Sequence, residues 1–167
     1  SKLPTEPIVF NKSSGCIQGP NDQIIKPKSA SKMDYEVEVG MIIGREGKYI
    51  KEENAQDYVF GYCIVNDISE RSWQKERGGQ WVKGKSIAGP IGPYLVTKDE
   101  IKNLNNINLA LYVNGKRRQI GNTERMIFSF NFLVSHLSQF MTLYPGTIIT
   151  TGTPAGTAME MEKPEFL

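Results

Sequence analysis

The sequence predicts a β-rich α+β fold, built as one domain, on three observations. Apolar residues alternate at period two over several segments, above all 34–44 and 107–113. An Asn114-Gly115 pair joins two extended runs, the strongest two-residue signal for a hairpin turn. Only one stretch, 128–141, lengthens its apolar period to the three and four of an amphipathic helix. With 167 residues, 39% hydrophobic and 23% charged, the chain can bury one core and is short for two.

In chain order, segment 34–44 is the first strand, and "DYVFGYCIVNDIS" (57–69) the second, apolar as far as Asn66-Asp67. "IGPYLVT" (91–97) is a third, with Pro93 marking an edge or an entry. "INLALYVNGKRRQIG" (107–121) is the hairpin, carrying Leu109, Leu111 and Val113 on one face. In the helix, Phe130, Leu133, Val134, Leu137 and Met141 form the apolar stripe. Tyr144-Pro145-Gly146 stops it, and "TIITTGTPAG" (147–156) is a strand running into a Gly/Thr/Pro loop. There is no internal repeat and no low-complexity linker.

Bulk charge excludes several classes of partner. The net charge is +2, and the short run Lys116-Arg117-Arg118 reads as a solvated hairpin, so no nucleic-acid partner is expected. No apolar run approaches the ~20 residues of a membrane span and no signal peptide opens the sequence, so no membrane partner is expected either. Two cysteines, Cys16 and Cys63, are too few for a disulfide framework. They read as free thiols in a reducing compartment, which places the protein in the cytosol; a mitochondrial matrix setting would look the same once a transit peptide was removed.

The chemistry starts in the first strand. Val37, Val39, Met41 and Ile43 share one face, while Glu36 and Glu38 share the other with Gly40 and Ile42. Two like charges side by side repel, and burying even one is costly without compensation. A third acid, Asp67, stands where the second strand ends. Three carboxylates on neighbouring strands suit a hard divalent cation, Mg²⁺ or Mn²⁺. Zinc does not fit, because the chain has one histidine and no Cys/His pairs at ligand spacing. The spacing alone is equally that of solvent-facing glutamates on an edge strand plus an aspartate at a turn.

Arg71 and Gln74 follow Asp67 by four and seven, so a helical turn there would put all three on one face. Lys85 falls in the glycine-rich stretch 83–93. The "TGTPAG" loop offers Gly152 and Thr153, with backbone N–H groups and a hydroxyl for an anion. Such a set suits a small, oxygen-rich carboxylated substrate. Of the remaining polar residues, His136 reads as structural within the helix, and Asp34 as a structural hydrogen-bonding residue. Lys12 reads equally as a pocket lysine or a surface one, and Trp73 and Trp81 as core or interface.

In the order quoted, "FNKSSGCIQGPND", "DYEVEVGMIIG", "GYCIVNDISERSWQKERGGQW", "KGKS", "VNG", "GNTERMIF" and "LYPGTIITTGTPAG" resemble the fumarylacetoacetate hydrolase superfamily. The likeness is strongest to members that hydrolyse diketo acids and runs over nearly the whole chain. It implies the fumarylacetoacetase C-terminal-like β-roll, usually as a homodimer. It implies that Glu36, Glu38 and Asp67 ligate Mg²⁺ or Mn²⁺, that Lys85 and Arg71 are the catalytic basic residues, and that Gln74, Gly152 and Thr153 contact the substrate. The implied activity is hydrolysis of a C–C bond in a 2,4-diketo acid or acylpyruvate. Alternatives on the same site are an oxaloacetate-type decarboxylase or a non-catalytic relative that binds metal and keto acid. The resemblance also implies a water-activating His–Glu dyad on a lid upstream of residue 1, and further strands after residue 167. Residues 1–167 are therefore expected to be a single catalytic domain without its N-terminal lid segment and C-terminal strands. The stretch after Lys85 lacks the family's usual Asp-Thr-Phe.

Overall fold

The structure, a computed structural model, describes residues 3–78 and 81–167. Ten strands occur in it: β1 (Ile17–Gln18), β2 (Met33–Asp34), β3 (Val37–Ile43), β4 (Val59–Asn66), β5 (Ser69–Glu70), β6 (Gly89–Pro90), β7 (Val96–Thr97), β8 (Asn108–Val113), β9 (Lys116–Asn122) and β10 (Ile148–Thr150). Two α-helices accompany them, α1 (Trp81–Lys85) and α2 (Phe130–Phe140). The main sheet has the order β10-β3-β4-β7 with every neighbouring pair antiparallel. The pairs β1-β6, β2-β5 and β8-β9 surround it. Gly79 and Gln80, inside one of the segments that carry the resemblance, lie outside the described residues.

Segment 34–44 is not one continuous strand. β2 pairs with β5 and β3 pairs with β4, with Tyr35 and Glu36 between them. Side chains take the backbone donors at the break: Tyr35 N–H donates to Asp34 Oδ1 and Glu36 N–H to Asn66 Oδ1. The Glu36 carbonyl meanwhile accepts from Asp67 N–H at 2.9 Å, which fastens the third acid beside the first.

The inner face of the sheet follows the period-two pattern. Val37, Val39, Met41 and Ile43 are buried in one cluster with Val59, Tyr62, Ile149 and the helix residues Phe130, Leu133 and Val134. α2 starts where Ser129 Oγ accepts from Phe132 N–H, an N-cap bond, and Leu137 packs on the cluster from the same helix. Met141 falls just past the helix and is 38% exposed, so the expected stripe ends at Leu137. The hairpin is as expected, with Asn114 and Gly115 at φ 50° and 76°, the left-handed pair that a tight two-residue turn requires.

Three expectations need correction. Segment 91–97 is not a continuous strand: Ile91 makes an isolated bridge to Val65 and Val96 and Thr97 pair with β4, but Pro90 and Pro93 supply no N–H to carry a ladder between them. Asp67, Arg71 and Gln74 do not share a helical face, since β5 intervenes and the helical turn begins at Arg71, running into a π-type turn over Ser72–Glu76. Lys85 is not in a loop. It ends α1, which packs so closely on that π turn that a Cβ on Gly84 would lie 2.8 Å from Gln74 N and from Glu70 O. Glycine at 84 is what lets α1 lie this close to the turn that follows β5.

Candidate active site

The glutamate face of β3 leads into a cavity of about 660 Å³ lined by Glu36, Glu38, Arg71, Gln74, Lys85 and the 150–155 loop, among others. One carboxylate oxygen each from Glu36, Glu38 and Asp67 lies within 4.8 Å of the others, and all three residues are buried. The alternative of solvent-facing glutamates on an edge strand therefore fails, since β3 lies between β4 and β10.

Two bases hold the acids apart from water. Arg71, 4% exposed, donates from Nε to Asp34 (2.8 Å), from Nη2 to Glu36 (2.6 Å) and from Nη1 to Gln74 Oε1 (3.0 Å). Burial works against its charge, but Glu36 and Asp34 outweigh burial and raise its pKa. Lys85 Nζ donates to Glu36 Oε2 at 2.6 Å, to Asp67 Oδ2 at 3.0 Å and to Ser69 Oγ at 2.7 Å. Those three bonds use every N–H an ammonium has, so Lys85 lines the cavity with its ammonium already engaged in linking the acids. Lys12, which the sequence left open, comes inside: its Nζ pairs with Asp67 and bonds the Lys85 carbonyl.

Glu38 has no such partner. Its Oε2 accepts from Gly152 N–H at 2.7 Å, and no lysine or arginine among the described residues pairs with it. Burial, with Asp67 and Glu36 beside it, pushes its carboxyl up to about 8, against the weaker pull of Gly152 and Lys85. Four carboxylates (Asp34, Glu36, Glu38, Asp67) thus face three cations (Arg71, Lys85, Lys12). A divalent cation together with a singly charged carboxylate ligand would balance this cluster. The donor set is all oxygen, so the residues fit Mg²⁺ or Mn²⁺.

The 151–155 loop is held by its own polar atoms. Thr151 Oγ1 donates to Val39 O and Thr153 Oγ1 to Val37 O, both at 2.9 Å, which continues the strand's anchoring after the ladder ends. The Gly152 N–H is spent on Glu38 and the Thr153 hydroxyl on Val37 and Gln119, so both residues line the cavity with these groups already engaged. Gln119 escaped the sequence reading. It sits in the basic run of β9, where nothing marks it as buried, yet it is 1% exposed and bonds Val37 N, Thr153 Oγ1 and the Pro154 carbonyl. Trp81 lines the cavity against Phe10, with ring centroids 5.5 Å apart. His136 lies elsewhere, stacked on Phe132, edge-on to Phe140 and facing a second, mainly apolar cavity of about 370 Å³.

Comparison with known proteins places these features in a family. The model described as the fumarylacetoacetate (FAA) hydrolase C-terminal domain matches residues 1–167. A Burkholderia cenocepacia protein, provisionally named a hydrolase, is 52% identical over 168 residues, covering 99% of this chain and 60% of its own length. A solved fumarylacetoacetate hydrolase from psychrophilic Exiguobacterium antarcticum is 38% identical with a TM-score of 0.92, covering 97% of this chain and 59% of that one. A 2-hydroxyhepta-2,4-diene-1,7-dioate isomerase from Mycobacterium marinum is also 38% identical, with a TM-score of 0.87 over 92% of this chain and 60% of that one. The chain thus spans about 60% of the length of the curated relatives it matches. Sequence, fold and the acidic cavity agree, and the chain belongs to the fumarylacetoacetate hydrolase family.

Proposed function

We propose that this chain is the catalytic domain of a divalent-metal-dependent enzyme that hydrolyses a C–C bond in a 2,4-diketo acid or acylpyruvate. The observation that carries the reading is the buried carboxylate trio in which Glu38 has no basic partner among the described residues. When bound, Mg²⁺ or Mn²⁺ supplies chelation of the substrate's carboxylate and keto oxygens and Lewis-acid stabilisation of developing negative charge. Glu36, Glu38 and Asp67 hold the cation, and Lys85 keeps Glu36 and Asp67 together. Arg71 has two N–H groups beyond the three already spent, and the Gln74 amide nitrogen has no partner among the described residues. Both residues line the cavity, where they bind and orient the substrate's carboxylate. In the reaction, the oxygen of water adds to the acyl carbon and the C–C pair leaves as the pyruvate enolate, which then takes a proton.

A second reading has its own observation. Among the described residues no histidine lines the acidic cavity, since His136 faces the other one. Decarboxylation of an oxaloacetate-type acid, or isomerisation as named for the Mycobacterium marinum relative, needs no activated water and would run on the same platform. Two buried free thiols suit a reducing, cytosolic setting. Phe60, Ile64, Tyr94 and Leu95, exposed around the β7 edge, suit association with a second copy. No helix among the described residues is long and apolar enough to cross a membrane.

The test is turnover of an acylpyruvate, oxaloacetate and a hydroxydienedioate by the full-length protein, with Mg²⁺ or Mn²⁺ and after chelation. Metal-dependent loss of the acylpyruvate is expected, and turnover indifferent to chelator would overturn the reading.

A further inference from the structure

Arg71 is gripped by three side chains, and only one of them is committed to nothing else in the cavity. Glu36 is shared with Lys85 and stands among the acids that hold the cation, and Gln74 lines the cavity wall. Asp34 is different. It is fully buried, is not among the cavity-lining residues, and accepts four hydrogen bonds. Its Oδ1 takes Tyr35 N–H at 2.9 Å and Ala158 N–H at 2.8 Å. Its Oδ2 takes Arg71 Nε–H at 2.8 Å and Met159 N–H at 3.1 Å. Met159 itself lines the cavity.

We propose that Asp34 is the positioning residue of the site. It fixes the guanidinium through Nε, leaving the one unspent N–H on each Nη for the substrate, and ties the 158–160 turn bearing Met159 to the same anchor. The proposal rests on the reading that Arg71 receives the substrate's carboxylate. The chemistry at 34 is demanding, because both oxygens face two N–H donors. An amide would direct its NH₂ at two of those donors whichever way it turned. A carboxylate one methylene longer would keep the charge but shift the guanidinium, and small misplacements of a substrate clamp are costly.

The experiment is calorimetry of oxalate binding to the Mn²⁺-loaded full-length protein for the wild type, Asp34→Glu, Arg71→Ala and the double variant. Oxalate presents the carboxylate and neighbouring oxygen of a 2-oxo acid. Asp34→Glu should weaken oxalate binding roughly tenfold, with Mn²⁺ affinity unchanged. In the Arg71→Ala background the same substitution should have no further effect, because the two residues act as one unit. Equal losses in both backgrounds, or no loss in either, would overturn the proposal. If Arg71→Ala alone left oxalate affinity unchanged, the role given to Arg71 would fall first and the proposal with it.

A measurement on the wild type keeps the question open to refutation if the Asp34 variant does not fold. The Arg71 Nε–H resonance should be protected from exchange and unmoved by oxalate, while its Nη–H resonances shift. An Nε–H that exchanges freely would exclude Asp34 as the anchor.

Discussion

Gly152 donates its backbone N–H to Glu38 Oε2 across 2.7 Å, and this is the polar contact that Glu38 receives in place of a basic partner. The bond joins the loop after β10 to the glutamate face of β3, so the loop that closes the cavity also holds its least compensated acid. A backbone dipole is weaker compensation than a full charge, which leaves Glu38 protonated near neutrality until a cation arrives.

Metal binding should therefore release a proton. With Glu38 pushed up to about 8, binding of Mn²⁺ at pH 7 should expel close to one proton, and the release should fade above pH 9. Titration calorimetry in buffers of different ionisation enthalpy measures this number directly. A value near zero at pH 7 would mean that Glu38 is already ionised without metal.

The same shift sets the pH dependence of the metal-free protein. The folded pKa lies above the unfolded carboxylate value, so the folded state binds the extra proton. That contribution is fully present below the unfolded pKa of ~4.3 and is lost as pH rises through about 8. Melting temperatures of the chelated protein should fall from about pH 4.3 to about pH 8 and level off above that, and saturating Mn²⁺ should remove most of the fall. Glu38→Gln, which cannot ionise, should flatten the profile without metal and abolish the response to it.

Glu70 works in the opposite direction. Burial would raise its carboxyl, but hydrogen bonds from Ser72 Oγ and from the N–H groups of Trp73, Lys32 and Ser31 outweigh burial and lower it. A lowered pKa contributes stability above the unfolded value that is lost as pH falls through the folded one. Glu70→Gln should cost about 1–3 kcal/mol at pH 7 and less at acid pH. Denaturant unfolding at pH 7 and pH 4 checks both statements.

Gly84→Ala should be disproportionately damaging for one methyl group. Its Cβ would meet backbone atoms of Gln74 and Glu70 at 2.8 Å, and backbone cannot swing aside as a side chain can. Overpacking of this kind costs about 1–3 kcal/mol, and displacing α1 moves Lys85 away from Glu36 and Asp67. A melting temperature and metal affinity equal to those of the wild type would contradict the close approach.

What the sequence disclosed and what it hid follow one physical rule. Period-two alternation placed Glu36 and Glu38 on a common face, and the same alternation placed Val37, Val39, Met41 and Ile43 in the core. Spacing could not reveal how side chains interrupt a ladder. Asp34 and Asn66 take backbone donors at the β2–β3 break, and no pattern in the chain marks that exchange. The helical-face argument for Asp67, Arg71 and Gln74 failed because β2 recruits Ser69 and Glu70 across 35 residues of sequence separation, beyond the reach of local periodicity. Gln119 and Lys12 stayed illegible for a similar reason: each is polar in a polar stretch, and only the tertiary fold turns it inward. The question posed by the paired glutamates had more than one answer, since Arg71 and Lys85 meet Glu36 while Glu38 is left for the cation.

The central claim is that Glu36, Glu38 and Asp67 together hold one divalent cation. An anomalous difference map at the manganese edge, from crystals of the full-length protein grown with Mn²⁺, tests it most directly. The account predicts one strong peak in contact with an oxygen of each of the three carboxylates, and loss of that peak in Glu38→Gln. Manganese bound away from this trio, with Lys85 still bridging Glu36 and Asp67 and Glu38 still without a cation, would contradict it.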